Sequence, residues 1–353
     1  MAGLYCKQAD ILKTLVYALF GCQTYRLLPE VSNNLFHDNG VACGILPGLT
    51  RKQNNLCMRH RTAMRYVVKG LKAAINECKN QFRDERWNCS ANRKGFAISH
   101  LRVGSKESAF VFALSSAAVS RAIARACAQG VISSCSCGKY SNRLNKKFIW
   151  AGCSDNVKYA NNFGRKFMDA ADLIHTNDAR SMMNLHNNRV GRKAVMNGIH
   201  RECKCHGVSG SCTMQTCWKI VPRLEEIGLF LRKKYSHAAK VTVSLKSKSL
   251  VSRMERIGTR AERYLHEFGK TLPLENELVY LDDSLDYCKE DKLNDVRGPQ
   301  GRECFGKCET ICCGRGYETI RTVKEEQCSC KFIWCCEVKC DTCHYIVSRN
   351  FCN

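Results

Sequence analysis

Apart from a short apolar run near the N-terminus, no stretch of this 353-residue sequence reads as a bilayer span. The longest uncharged apolar run, Ser108–Ser120, has 13 residues bounded by Glu107 and Arg121, and a run that short reads as a buried core helix. Acidic side chains are scarce, 32 against 56 basic ones, which leaves a formal net charge of +24. There is no internal repeat and no low-complexity tract. The ten histidines have no acid or nucleophile partner in a recognisable catalytic motif, so the sequence predicts no enzyme and no metal centre. A hydrophobic content of 44% excludes disorder over the whole chain.

Cysteine is abundant instead, and its usage sets the compartment. Twenty-six thiols are a liability in a reducing cytosol and become staples in an oxidising one. The N-terminus agrees. Leu15–Cys22 is a short apolar run preceded by Lys7 and Lys13, the shape of a signal peptide covering residues 1–24. Cys6 and Cys22 fall in that segment, and removing those two from the 26 leaves an even number, 24, suited to bridges. The expected location is secreted, in the extracellular space and matrix.

The basic excess admits three partners: nucleic acid, an anionic membrane or a sulfated glycan. Secretion removes nucleic acid. The basic residues are dispersed (Arg59, Arg61, Arg65; Lys146, Lys147; Arg232–Lys234; Lys246, Lys248), so a solvated basic surface and heparan sulfate proteoglycans remain as the two readings.

Cysteine density divides the chain. Twelve cysteines lie between Cys43 and Cys217 among helical patterns, none in 218–287, and twelve more in Cys288–Cys352. The expected organisation is α+β and disulfide-rich. A helical N-terminal domain (43–235) carries a hairpin at 203–217, a cysteine-free linker follows (236–287), and a small cysteine-knot-like domain of short β-hairpins ends the chain (288–353). Apolar spacing predicts helices over 62–82, 105–129, 178–197 and 222–235, the second as the central buried one and the last with Pro222 in its first turn. Lys240–Leu245 and Glu277–Leu281 are strand candidates, and β-branched and aromatic runs at 330–338 and 345–347 suggest short twisted hairpins.

The most informative segment is Glu202–Trp218, ECKCHGVSGSCTMQTCW. Nested pairing of Cys203 with Cys217 and Cys205 with Cys212 would present His206–Ser211 at the end of a two-rung hairpin, with Gly207 and Gly210 free to take positive φ. Three readings compete at this point. A zinc site would use these cysteines with His206, though their spacing fits no usual finger. A hydrolase elbow requires G-x-S-x-G, and Ser211 stands where its last glycine belongs. The third is a stabilised loop whose serines have no role.

A series of motifs changes the balance. CHGVSGSC with TCW (Cys205–Trp218) is accompanied, in order, by ECKNQFRDERWNC (77–89), ESAFVFALSSAAVSRAIARAC (107–127), WAGCSDN (150–156), MNLHNN with GRKA (183–194), CCGRGY (312–317), CSCKFIWCCEVKC (328–340) and a final Cys352. From about Cys43 to the end, the sequence resembles the Wnt family of secreted, lipid-modified signalling glycoproteins.

That resemblance implies a ligand. Ser209 corresponds to the serine that carries a palmitoleoyl ester, attached by a membrane O-acyltransferase, and the acyl chain with Val208 beside it enters a groove on the cysteine-rich domain of Frizzled. No cofactor is implied beyond that covalent palmitoleate. A second receptor contact is implied at the tip Lys331–Cys340, through Phe332, Trp334, Cys335, Cys336 and Val338; the apolar exposure of such a tip points to an interface on its own account. Further implied partners are a lipoprotein-receptor-related co-receptor and lipid-carrying secretion factors. Asn88 in Asn88-Cys89-Ser90 is the expected glycan site. The implied bridges are Cys78–Cys89, Cys127–Cys135, Cys137–Cys153, Cys203–Cys217, Cys205–Cys212, Cys288–Cys313, Cys304–Cys308, Cys312–Cys352, Cys328–Cys343 and Cys330–Cys340. A vicinal Cys335–Cys336 bridge is expected at the second tip, and parity adds Cys43–Cys57. Two other classes stay in view: a secreted lipid-metabolising enzyme with Ser209 as a free nucleophile, and a matrix protein that binds glycans alone.

Overall fold

The computed structural model describes residues 36–37, 40–41, 43, 49–87, 89, 103–140, 149–244, 249–252, 274–291, 296 and 298–353. The expected signal peptide (1–24), Asn88, Lys146, Lys147, Lys246 and Lys248 lie outside the described residues. The chain divides into two units, Met1–Gln81 with Cys89–Leu285 and Phe82–Asn88 with Asp286–Asn353.

The first unit is helical. After the short antiparallel pair β1 (Phe36–His37) and β2 (Gly40–Val41) come α1 (Arg51–Arg59), α2 (Arg61–Gln81), α3 (Lys106–Ala128), α4 (Val157–Met168), α5 (Ala179–Asn197) and α6 (Leu224–Ser236). A capping box starts α1: the Gln53 amide donates to Thr50 Oγ1 (3.3 Å), and the Thr50 amide donates to Gln53 Oε1 (2.9 Å). The predicted stripe Met64, Val67, Val68, Leu71, Ala74 and Ile75 is the buried face of α2. α3 is long and apolar enough to pass for a membrane span, but most of it is buried among the other helices.

Two glycines let backbones touch this central helix. A Cβ on Gly70 would lie 2.8 Å from Val119 Cα, and one on Gly191 would lie 1.9 Å from the Ala113 carbonyl oxygen. Any side chain there would force the helices apart. A buried ion pair sits nearby: Arg192 donates to both oxygens of Asp169 (2.9 and 2.8 Å) and to Ser116 Oγ (3.1 Å), while Asn188 Nδ2 donates to Asp169 Oδ1 (3.1 Å). Burial pushes the Asp169 carboxyl upward and these donors oppose the shift.

Three expectations about this part need correction. The cysteine-free span is no linker: β6 (Ala239–Ser244), β7 (Ser249–Ser252) and β8 (Val279–Tyr280) form a sheet in the order β7-β6-β8 within the helical unit. The reason is hydrogen bonding as well as burial. Asn187 Nδ2 of α5 donates to the Val279 carbonyl (2.9 Å), and the Val279 amide donates to Asn187 Oδ1 (3.0 Å), with Leu278 and Val279 fully buried. The unit boundary therefore falls after Leu285 rather than 235, and the loop 82–88, expected in the N-terminal domain, belongs to the second unit. Lastly, Pro222 precedes α6 instead of opening it. Arg223 is the N-cap, its amide donating to Glu226 Oε2 (3.1 Å).

In the second unit, the expected series of short hairpins is one long ribbon, β10 (Tyr317–Ile333) paired antiparallel with β11 (Glu337–Cys352), to which β9 (Glu303–Cys304) adds at one end. The pairing register shifts between Cys328 and Lys331, where Ser329 has φ 48°. The unit's buried cluster is mostly sulfur: Cys304, Cys308, Ile311, Cys312 and Cys352, with the short helix α7 (Cys308–Ile311) supplying two of the five and its C-cap Cys312 a third. Bridges join Cys288–Cys313, Cys304–Cys308, Cys312–Cys352, Cys328–Cys343 and Cys330–Cys340. In the helical unit they join Cys43–Cys57, Cys78–Cys89, Cys127–Cys135 and Cys137–Cys153.

Asp172, beside the helical core, generates a prediction. Burial raises its carboxyl to about 6, against a hydrogen bond from Asn184 Nδ2 (2.9 Å). A carboxyl raised in the fold binds its proton more tightly folded than unfolded, so its contribution is most favourable below about pH 4 and is lost as pH rises through about 6. Asp172→Asn removes that loss. Thermal melts should show the variant gaining about 2 kcal/mol on the parent at pH 7.5 and markedly less at pH 4.5.

Candidate functional site: two exposed hairpin tips

The first tip stands on β4 (His200–Cys205) and β5 (Gln215–Ile220), with β5 also pairing in parallel with β3 (Ile149–Ala151). Cys203 lies directly across from Cys217 and is bridged to it, and Cys205–Cys212 closes a second rung nearer the tip. These bridges leave the hairpin without thiolate ligands for zinc. The base is braced from WAGCSDN: the Gly152 amide donates to the Cys217 carbonyl (2.8 Å), the Lys219 amide to Ser154 Oγ (2.9 Å) and the Val221 amide to Asp155 Oδ2 (2.8 Å). Burial raises the Asp155 carboxyl, with the Val221 amide and Arg125 pulling the other way. Sequence reading noted this motif without assigning it the brace. The pairing could have been suspected only from two short polar residues beside a cysteine, a weak signal.

Beyond the second rung the backbone makes a tight turn. The His206 amide donates to the Met214 carbonyl (2.7 Å), Gly207 to Ser211 (2.8 Å), Gly210 to Gly207 (3.0 Å) and Ser211 to Val208 (3.1 Å). Ser209 sits at the apex in the left-handed region (φ 55°, ψ 28°), which is unfavourable for a residue with a Cβ, and Gly210 follows at φ 76°. Its neighbour Val208 is 87% exposed. The Ser211 hydroxyl is engaged with Thr213 Oγ1 (3.2 Å), whereas no partner of the Ser209 hydroxyl is present among the described residues. His206 Nε2 bonds Thr216 Oγ1 (3.0 Å) and so does not serve Ser209 as a base. The turn leads into a second strand, not a helix, which removes the elbow geometry.

The second tip ends the β10–β11 ribbon. Phe332 lies across from Val338, and both are exposed, at 69% and 61%. Trp334 at the apex is 91% exposed, with Ile333 half-exposed beside it. The expected vicinal bridge is absent: the Cys335 and Cys336 sulfurs lie 3.5 Å apart, both exposed and unbonded. Both residues take positive φ (79° and 105°) to reverse the chain, and this places the two thiols side by side without closing the small ring.

The sequence profile of the Wnt family matches residues 45–353. The chain belongs to the Wnt family. It is 41% identical to Protein mom-2 of Caenorhabditis elegans over 97% of each chain, and 39% identical to Protein Wnt-5a of Ambystoma mexicanum over 88% of this chain and 87% of that one. Among solved structures, a chain in human WLS in complex with WNT8A is similar with a TM-score of 0.59 and 36% identity, over 85% of this chain and 99% of that one. Wnt proteins are secreted signalling ligands and not enzymes, so this Wnt acts by being recognised.

The tip geometry predicts a specific sensitivity. A Cβ on Gly207 would fall 2.5 Å from the Ser211 backbone carbonyl oxygen, as well as against the Ser211 and Thr213 hydroxyls, so Gly207→Ala must shift the backbone of the turn. Hydrogen exchange at the His206, Gly207 and Ser211 amides should accelerate by about tenfold or more, equivalent to about 1.4 kcal/mol, with the amides of α3 unchanged.

Proposed function

We propose that this Wnt binds the Frizzled cysteine-rich domain at two points: a palmitoleoyl ester on Ser209, flanked by Val208, and the tip formed by Phe332, Trp334, Cys335, Cys336 and Val338. The observation that carries this reading is Ser209 itself. A serine held in a left-handed conformation above two disulfide rungs, with no partner for its hydroxyl and no base beside it among the described residues, is presented for modification by an enzyme. At about 0.8 kcal/mol per buried methylene, an acyl chain in an apolar receptor groove would dominate the affinity.

The same chain would make the free ligand poorly soluble. That calls for a membrane O-acyltransferase to attach it and a carrier to export it, and the similarity to a chain solved with human WLS supports a carrier of that kind. Heparan sulfate proteoglycans would retain a protein of charge +24 in the matrix, a lipoprotein-receptor-related co-receptor would complete the signalling complex, and Asn88 would carry a glycan. The exposed Trp334 tip supports the second contact, because a large aromatic left in water on a ribbon without its own core is a candidate hot spot.

Intact mass spectrometry of the secreted protein, with peptide mapping of Cys203–Cys217, should find a monounsaturated sixteen-carbon acyl group on Ser209. A bare Ser209 in correctly bridged secreted protein would overturn the lipid-driven mechanism. Ser209→Ala should be folded and fail to bind Frizzled. Trp334→Ala should keep the acyl group and lose about 2–4 kcal/mol of receptor affinity, measured by surface plasmon resonance.

A further inference from the structure

Helix α2 carries a second organised surface, remote in sequence from either tip. Arg61, Arg65, Lys69 and Lys72 are all exposed, and their spacing of four, four and three residues keeps them within an arc of about 80° on one face over roughly 16 Å. The opposite face is the buried apolar stripe from Met64 to Ile75, so the helix cannot rotate to hide or redistribute these charges. α1, which precedes it, adds exposed Arg51, Lys52 and Arg59 and has no acidic residue.

Like charges three and four residues apart repel, and Arg61 adds positive charge to the end of the helix where the backbone dipole is already positive. The only acid in α2 is Glu77, which is buried and bonded by Gln81 Nε2 (2.6 Å). A straight cationic stripe set on a rigid helix is complementary to a linear polyanion.

The surroundings decide which polyanion. A helix that lies on a membrane needs a large apolar face directed outward, and α2 exposes no large hydrophobic residue. Family members are secreted, which removes nucleic acid. We infer that the Arg61–Lys72 face of α2 is the docking site for a sulfated glycosaminoglycan chain of the heparan sulfate type. This inference rests on the glycan partner proposed above and assigns it a place in the fold.

The test compares full-length secreted proteins on immobilised heparin across a salt series. One triple variant, Arg65→Gln, Lys69→Gln and Lys72→Gln, removes three stripe charges with little change in helix propensity. A control triple, Lys233→Gln, Lys289→Gln and Lys307→Gln, removes three exposed charges elsewhere. The stripe variant should lose at least tenfold in heparin affinity at physiological salt, with a salt dependence shallower by roughly three released ions. Its circular dichroism spectrum and cooperative melt should match those of a folded protein, which separates loss of the site from loss of the fold. The control should lose much less. Equal losses in both triples would overturn the site and leave a diffuse basic surface, as would an unchanged stripe variant. A parent that fails to bind heparin would overturn the glycan reading as a whole.

Discussion

A hairpin end that projects into water buries too little apolar surface to hold its own shape, and both exposed tips of this protein are such ends. What holds them is covalent. Each ribbon carries two disulfide rungs two residues apart along one strand, Cys203 and Cys205 in the first and Cys328 and Cys330 in the second. The rungs fix strand pairing locally, so the chain beyond them can adopt conformations it would otherwise avoid. Ser209 in one tip and Cys335 and Cys336 in the other all lie at positive φ. Exposed Val208 and Trp334 are tolerated for the same reason: neither hairpin has to recruit its apex into a core to stay folded.

The helical unit works by another route. Its central helix is approached at backbone distance through Gly70 and Gly191, and it is locked by the Arg192–Asp169 pair with Ser116 and Asn188. Replacing one member of such a pair leaves a buried charge uncompensated, typically several kcal/mol. That rigidity reaches the β4–β5 hairpin through Ser154 and Asp155, which accept backbone amides from the end of β5 and the residue after it, so the first tip is anchored to a well-packed body. The basic stripe on α2 is positioned by the same packing, because the orientation of an amphipathic helix is set by the face it buries.

Reading from residues succeeded where one local rule decided the outcome. The helices at 61–81, 106–128 and 179–197 follow from apolar spacing and end within a residue or two of expectation. The β4–β5 hairpin follows from its nested cysteines. It failed where the decision was non-local. Nothing near Val279 announces that a side-chain amide 92 residues earlier will complete its hydrogen bonds, and without that pairing the span after α6 looks like a linker. The dense C-terminal cysteines suggested several small hairpins, since bridge density carries no information on strand length. The ribbon is long because its register continues past the bulge at Ser329.

Composition and order along the chain therefore settled the chemistry: an oxidising compartment, a basic ligand without catalytic groups, a family, and a serine between two glycines at a stapled turn. These follow from residue type and spacing, which act locally. Tertiary structure decided presentation. It engaged the Ser211 hydroxyl and left that of Ser209 outward, kept Cys335 and Cys336 as adjacent thiols, drew the cysteine-free span into the helical unit, and lined four cations along one face of α2. Each of these depends on which backbone groups and faces meet across long sequence separations, and only packing determines that.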